Sequence, residues 1–157
     1  VKSSERRSAC TRRARGRNTR SASAASVARD ELREARKRAL MQALRNLEVW
    51  RRACRFSVNV YGATAGCRDK GFRDQVTRSA LSVASNIAEG YEREAIKERT
   101  RFLFIAKGSC GECWTQLLIG SEAGLVDQER GKQLAREAEE VAAMIAGLIK
   151  YFRSKES

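Results

Sequence analysis

The sequence predicts an all-α protein, an antiparallel up-and-down bundle of four helices. Three observations carry that expectation. The 157 residues include no Pro, where about 5% would be usual, so nothing interrupts long helices. From Asn46 onward apolar residues recur at three- and four-residue steps, the spacing of one helix face. Gly, Asn and Asp stand between those runs with short connections, as antiparallel neighbours require. No strand-like alternation competes.

Taken in order, Asn46 suits an N-cap with Glu48 in the first turn. Leu47, Trp50, Cys54, Val58 and Tyr61 then form the stripe expected to be buried, and Gly62 and Gly66 end it. A second helix is expected from about Phe72 to Ala88, burying Val76, Ala80, Val83 and Ile87, with Gly90 as the left-handed residue past its end. A third, from about Ala95 to Ala123, shows Phe102, Ile105, Ala106, Cys110, Cys113, Leu117 and Ile119, and Gly124 closes it. The fourth runs from Asp127, an N-cap, to Phe152 through Leu134, Ala138, Val141, Met144 or Ile145, and Leu148.

The first 40 residues differ in kind. They hold 13 basic and 4 acidic side chains, net +9, while the other 117 carry 19 and 15, net +4. Residues 1–26 are rich in Arg, Ser and Ala and cannot bury enough apolar surface to offset their ordering entropy, so disorder is expected there. Residues 27–45 could form a marginal helix supported by a Glu34–Arg38 pair. The division expected is thus a basic extension, 1–40, and a bundle, 41–157. Three readings of the extension stand side by side: a basic arm for nucleic acid, a transit-like segment, or an early start ahead of Met41.

Composition narrows the chemistry. The chain has no His, which removes the commonest general base and the commonest metal ligand. Five Cys at irregular spacings fit neither a disulfide framework nor a zinc site, and point to a reducing compartment. No apolar run approaches the roughly 20 residues that span a bilayer, so a cytoplasmic protein without a membrane partner is expected. Cys110-Gly-Glu-Cys113 lies inside a predicted helix with no preceding strand, and reads as core packing rather than a redox pair. Ser79, Ser82 and Ser109 lack a base, and Glu89 and Glu112 alone cannot build a carboxylate metal site. The expectation is no catalysis, no metal and no cofactor.

The stretches LEVWRRA (47–53), RSALSVASNIAEGYER (78–93), RFLFIAKGSCGE (101–112) and TQLLIGSEAGL (115–125) resemble the bacterial four-helix-bundle proteins encoded in intervening sequences of large-subunit ribosomal RNA genes. The resemblance covers about residues 44–153. It implies a compact up-and-down bundle assembled as a ring-like homopentamer, and no enzymatic activity. It also implies kinship with accessory proteins of diversity-generating retroelements, which bind nucleic acid and a reverse transcriptase. Two departures stand out: Gly66–Gly71 replaces a Phe-Pro turn, and Ala84 stands where many members have Pro.

Two groups of candidate residues follow. Arg51, Arg52 and Arg55 on the first helix, with Lys97, Arg99, Arg101 and Lys107 on the third, are candidates for nucleic-acid backbone. Fivefold repetition would raise +4 per subunit to about +20, a strong field for polyanions. Few aromatics read as exposed, so base stacking has little support and salt-sensitive backbone binding is expected. Trp50, Arg78, Ser82, Asn86, Glu89, Gly90, Arg93, Phe102, Gly108, Glu112 and Gln116 carry the family pattern and are expected to be structural or interfacial. In SNIAEGYER, Asn86 is expected to tie loop backbone to a neighbouring helix and Glu89 to pair with Arg78, Arg93 or Arg101, making an architectural corner. Glycines 108, 111, 120 and 124, each costing about 1 kcal/mol in a helix interior, suggest close approach of another helix or subunit. A protein-interaction scaffold, exposing an apolar patch, is the competing reading.

Overall fold

Hydrophobic spacing and the absence of Pro are realised as helices throughout. The computed structural model describes the backbone of residues 8–155 and the side chains of residues 26–155, and among them there is no strand. Five helices follow in order: α1 (Ser8–Asn46), α2 (Glu48–Thr64), α3 (Lys70–Glu92), α4 (Ile96–Glu122) and α5 (Gln128–Arg153). The chain divides into two compact units, one reaching Met41 and the other Gln42–Ser157.

In the first unit α1 begins at Ser8, inside the stretch where disorder is expected. Ala and Arg are among the strongest helix formers, and with no Pro their propensity favours helix without any core. Among the described side chains of this unit, Arg38 Nε donates to the Glu34 carbonyl at 3.4 Å.

In the second unit α2 packs on α3 and α5, and α4 packs on α3 and α5, closing a cycle around one core. Phe56, Val60, Val76, Val83, Ile87, Leu103, Leu117, Leu134, Val141 and Ile145 are fully buried there. The α2 stripe differs from the expected one. Val49, Ala53, Phe56, Ser57, Val60 and Thr64 face inward, while Val58 is 69% and Tyr61 50% exposed. Both sets have helical spacing, and the small residues decide between them. Ala53 and Ser57 let α3 approach, and Ser57 Oγ donates to the Ala80 carbonyl oxygen at 2.8 Å. A reading weighted toward large apolar side chains therefore picks the wrong face. Leu47, Trp50 and Cys54 pack at the core's edge.

Helix ends bring further corrections. Asn46 closes α1 and accepts from Gln42, whereas extended Leu47 is the N-cap of α2, with no side-chain bond. Gly62 lies inside α2, which runs to Thr64. At the start of α3, Asp69 accepts from the Phe72 amide (2.9 Å), a cap the spacing argument missed. On α4, Leu103 is core while Ile105 (44%) and Ile119 (59%) are exposed; on α5, Ile149 is buried and Met144 and Leu148 are only partly so. Asp127 caps α5 as expected, accepting from the Arg130 amide at 2.9 Å. Gly124 ends the α4 region at φ +68°, and Leu125 N–H bonds the Gly120 carbonyl behind it at 2.8 Å.

At Gly131, α5 approaches α4 closely. A Cβ at Gly131 would lie 1.8 Å from Ser121 Oγ and 3.2 Å from its Cβ. Gly131→Ala is expected to cost about 1–3 kcal/mol through overpacking. Ser121→Ala in the same chain should recover part of it by removing the clashing hydroxyl. Urea denaturation of the two single variants and the double measures this coupling; additive costs would show that the contact is not what limits the site.

Candidate nucleic-acid interface

The corner at 82–94 sets the entry of α4. Gly90 is helical and buried, not a left-handed cap: a Cβ there would lie 3.1 Å from the Arg99 carbonyl oxygen and 3.2 Å from Phe102 Cβ. Its role is close approach, and α3 continues to Glu92. Glu89 pairs with Arg93, whose guanidinium also covers the half-buried Phe102 ring at 4.8 Å. Arg99 Nη2 donates to the Arg93 carbonyl oxygen (2.8 Å), and the guanidinium carbon lies over the rings of Tyr91 (5.5 Å) and Phe152 (4.8 Å). Arg99 is thereby a clasp between α3, α4 and α5, with its Nε buried and without a partner, rather than a surface cation.

Ser82, Asn86, Glu112 and Gln116, with Ser79 and Ser109, form hydrogen bonds along the α3–α4 seam. Asn86 Nδ2 donates to the carbonyl and hydroxyl oxygens of Ser82 on its own helix (2.8 and 2.9 Å), not to a neighbouring loop. Ser82 Oγ meets Ser109 Oγ across the seam at 2.9 Å. Ser79 donates to Gln116 (2.6 Å), and Gln116 donates to Glu112 (3.2 Å). These bonds order the facing helices along polar rows that apolar packing alone would leave free to slide. Arg78 and Gly108 are exposed, and nothing lies within 4 Å of a Cβ at Gly108 or Gly111. Trp50 is half-buried.

Cys110 and Cys113 sit in the core, 1% and 0% exposed. Burial, with the neighbouring thiol's charge, pushes Cys110 up to about 12. Burial and the Glu112 carboxylate push Cys113 up to about 12 against a smaller lowering by a bond with Ser79. Both are protonated hydrophobes at neutral pH. Among the described residues no His, Cys, Asp or Glu group is arranged to hold a metal ion.

The basic candidates fall into two unlike sets. On α2, Arg51 and Arg55 share Glu48 (3.4 and 2.9 Å) and Arg52 reaches Glu140 on α5. Their charge is largely offset in place. On α4, Lys97 and Arg101 join Thr100, Phe104, Ile105 and Arg153 around an open cleft of about 710 Å³. No carboxylate lines it, although Glu98 comes within 4.0 Å of Arg101 beside it. Lys107 is exposed further along the helix. Lys97, Arg101 and Phe104 stand at i, i+4 and i+7, one face of α4. Arg153, from the last turn of α5, lays its guanidinium 5.0 Å from the Phe104 ring. Helical spacing gives the α4 residues, but Arg153 and Phe104 were absent from the candidates, because only the packing of α5 on α4 brings that arginine to the face. The expectation of few exposed aromatics also fails: Tyr61, Phe104, Trp114 and Tyr151 are 50%, 45%, 36% and 55% exposed.

Fold and surface together define an all-helical protein whose second unit closes four helices around one core and presents a cationic cleft at one edge. Among the described residues no helix is long and apolar enough to cross a membrane. The chain belongs to the 23S rRNA-intervening sequence protein family, whose model matches residues 45–147. It is similar to the crystal structure of a protein of unknown function from the S23 ribosomal protein family of Bacteroides thetaiotaomicron. The TM-score is 0.61 and the identity 18%, over 65% of this chain and 98% of that one, a likeness of fold. No curated protein matches the chain.

Proposed function

We propose that the protein is a non-enzymatic, homo-oligomeric helical bundle that binds the backbone of RNA or DNA without strong sequence preference. The carrying observation is the cleft of Lys97, Arg101 and Arg153, three cations converging with no acidic lining. An up-and-down topology is supported by the short connections and by contacts that run in opposite numerical directions. Arg52 meets Glu140 where Asn59 meets Glu137, and Ser79 meets Gln116 where Ser82 meets Ser109. Homo-oligomerisation, a pentameric ring by the family resemblance, is supported by the exposed Trp114 and Ile119 on α4. Work as an accessory subunit to a nucleic-acid enzyme such as a reverse transcriptase, in the cytoplasm, completes this reading. The scaffold reading draws on the same exposed apolar side chains of α4.

The test is titration of a labelled structured RNA and a duplex DNA at several salt concentrations. The full chain is compared with Lys97→Glu/Arg101→Glu and with Arg51→Glu/Arg52→Glu. The α4 pair should weaken binding at least about tenfold and flatten the log–log salt slope by roughly 2, since each lost phosphate contact removes about 0.9 on a duplex. The α2 pair should do less, because Glu48 and Glu140 already offset it. If the wild-type chain fails to bind at low salt, the nucleic-acid reading falls and the scaffold takes its place.

A further inference from the structure

The cleft holds more than charge. Phe104 is 45% and Ile105 44% exposed beside Lys97 and Arg101. Arg153 stacks its guanidinium on Phe104, which fixes the ring yet leaves much of it uncovered. An aromatic ring held among phosphate-binding cations is a poor fit to a duplex, whose bases offer no free faces to a surface side chain. It fits an unpaired nucleotide, whose base face can stack while its phosphates meet the cations. The volume of about 710 Å³ falls within the range of small-molecule sites, roughly 300–1,000 Å³.

We propose that this cleft takes unpaired nucleotides of a single-stranded segment, with a base stacked on Phe104 and the flanking phosphates on Lys97, Arg101 and Arg153. The inference rests on the nucleic-acid reading above and specifies its substrate class. Thr100 has no donor to offer a base, because its hydroxyl proton goes to the Ile96 carbonyl and its side chain is buried.

The experiment uses the full chain and three fluorescent ligands of equal length: a single-stranded oligonucleotide, the same strand with abasic sugars, and a duplex. One stacked base contributes roughly 5- to 150-fold in affinity, so the base-bearing strand should bind that much tighter than the abasic one. Phe104→Ala should abolish the difference between the base-bearing and abasic strands. Phe104→Trp should keep the difference and, measured against the wild type with its own Trp50 and Trp114, add quenching of emission by the base-bearing strand only. Circular dichroism of both variants confirms folding. Equal affinity of the wild type for abasic and base-bearing strands overturns the stacking inference but leaves backbone binding standing. A preference that survives Phe104→Ala overturns this site. Absence of binding to all three ligands overturns the nucleic-acid reading itself.

Discussion

Phe56→Ala is expected to destabilise the second unit by about 3–5 kcal/mol, whereas Val58→Ala and Tyr61→Ala should stay within about 0.5–1 kcal/mol. Phe56 is fully buried in the core and is among its largest buried side chains. Truncation removes its transfer free energy and leaves a cavity, because helices packed on both sides of α2 cannot all move inward. Val58 and Tyr61, 69% and 50% exposed, lose little by shortening. Since a domain of this size is stable by only about 5–15 kcal/mol, the Phe56 variant should be partly unfolded at elevated temperature. Urea denaturation at fixed protein concentration gives the three values. The reverse order, with Tyr61→Ala the costliest, would show that the expected stripe rather than the observed one faces the core.

Alkali is expected to destabilise the fold through Cys110 and Cys113. Thiols in the unfolded chain ionise near 9.0, but in the folded chain burial pushes both up to about 12. Raised folded values mean that their contribution is fully present below pH 9. It declines from pH 9 toward 12 as the unfolded state sheds protons the folded state keeps. By pH 10 the loss is roughly 3 kcal/mol for the pair, near one pKa unit of free energy for each thiol. The check compares the wild type with Cys110→Ala/Cys113→Ala from pH 8 to 10.5. The variant should lose stability less steeply above pH 9, and parallel curves would remove the thiols from the account.

The same two thiols show what linear spacing can deliver. A CxxC inside a helical pattern, without a preceding strand, reads as core, and the buried positions of Cys110 and Cys113 agree. Val76, Ala80, Val83 and Ile87 on α3, and Leu134, Ala138, Val141 and Phe152 on α5, were equally legible, as was the Asp127 cap. In each case one face of the helix is unambiguously apolar. On α2 two faces competed, and on α4 apolar residues stand all round. There the pattern named Ile105 and Ile119 as core and missed Leu103. Gly90 reads equally as a left-handed cap or as a point of close approach, and only the neighbouring Arg99 backbone distinguishes them.

The candidate interface divides along the same line. Which side chains are cationic is plain in the sequence. Which of them keep their charge available is a matter of partners far along the chain. Glu140 takes up Arg52 from 88 residues away, and the Tyr91–Phe152 corner takes up Arg99. Arg153 arrives beside Phe104 only through helix packing.

By itself, then, the sequence determined that the chain is helical, where most helices lie, how charge is distributed along it, and that it carries no His. These follow from local propensity, capping and side-chain type, each readable within a few turns. Only the tertiary structure decided which stripe of α2 is buried, that Gly90 is a contact rather than a cap, and that Lys97, Arg101, Phe104 and Arg153 share a cleft. Those outcomes depend on the steric fit and charge pairing of helices that are neighbours in space, and spacing along one helix carries no information about what lies across from it.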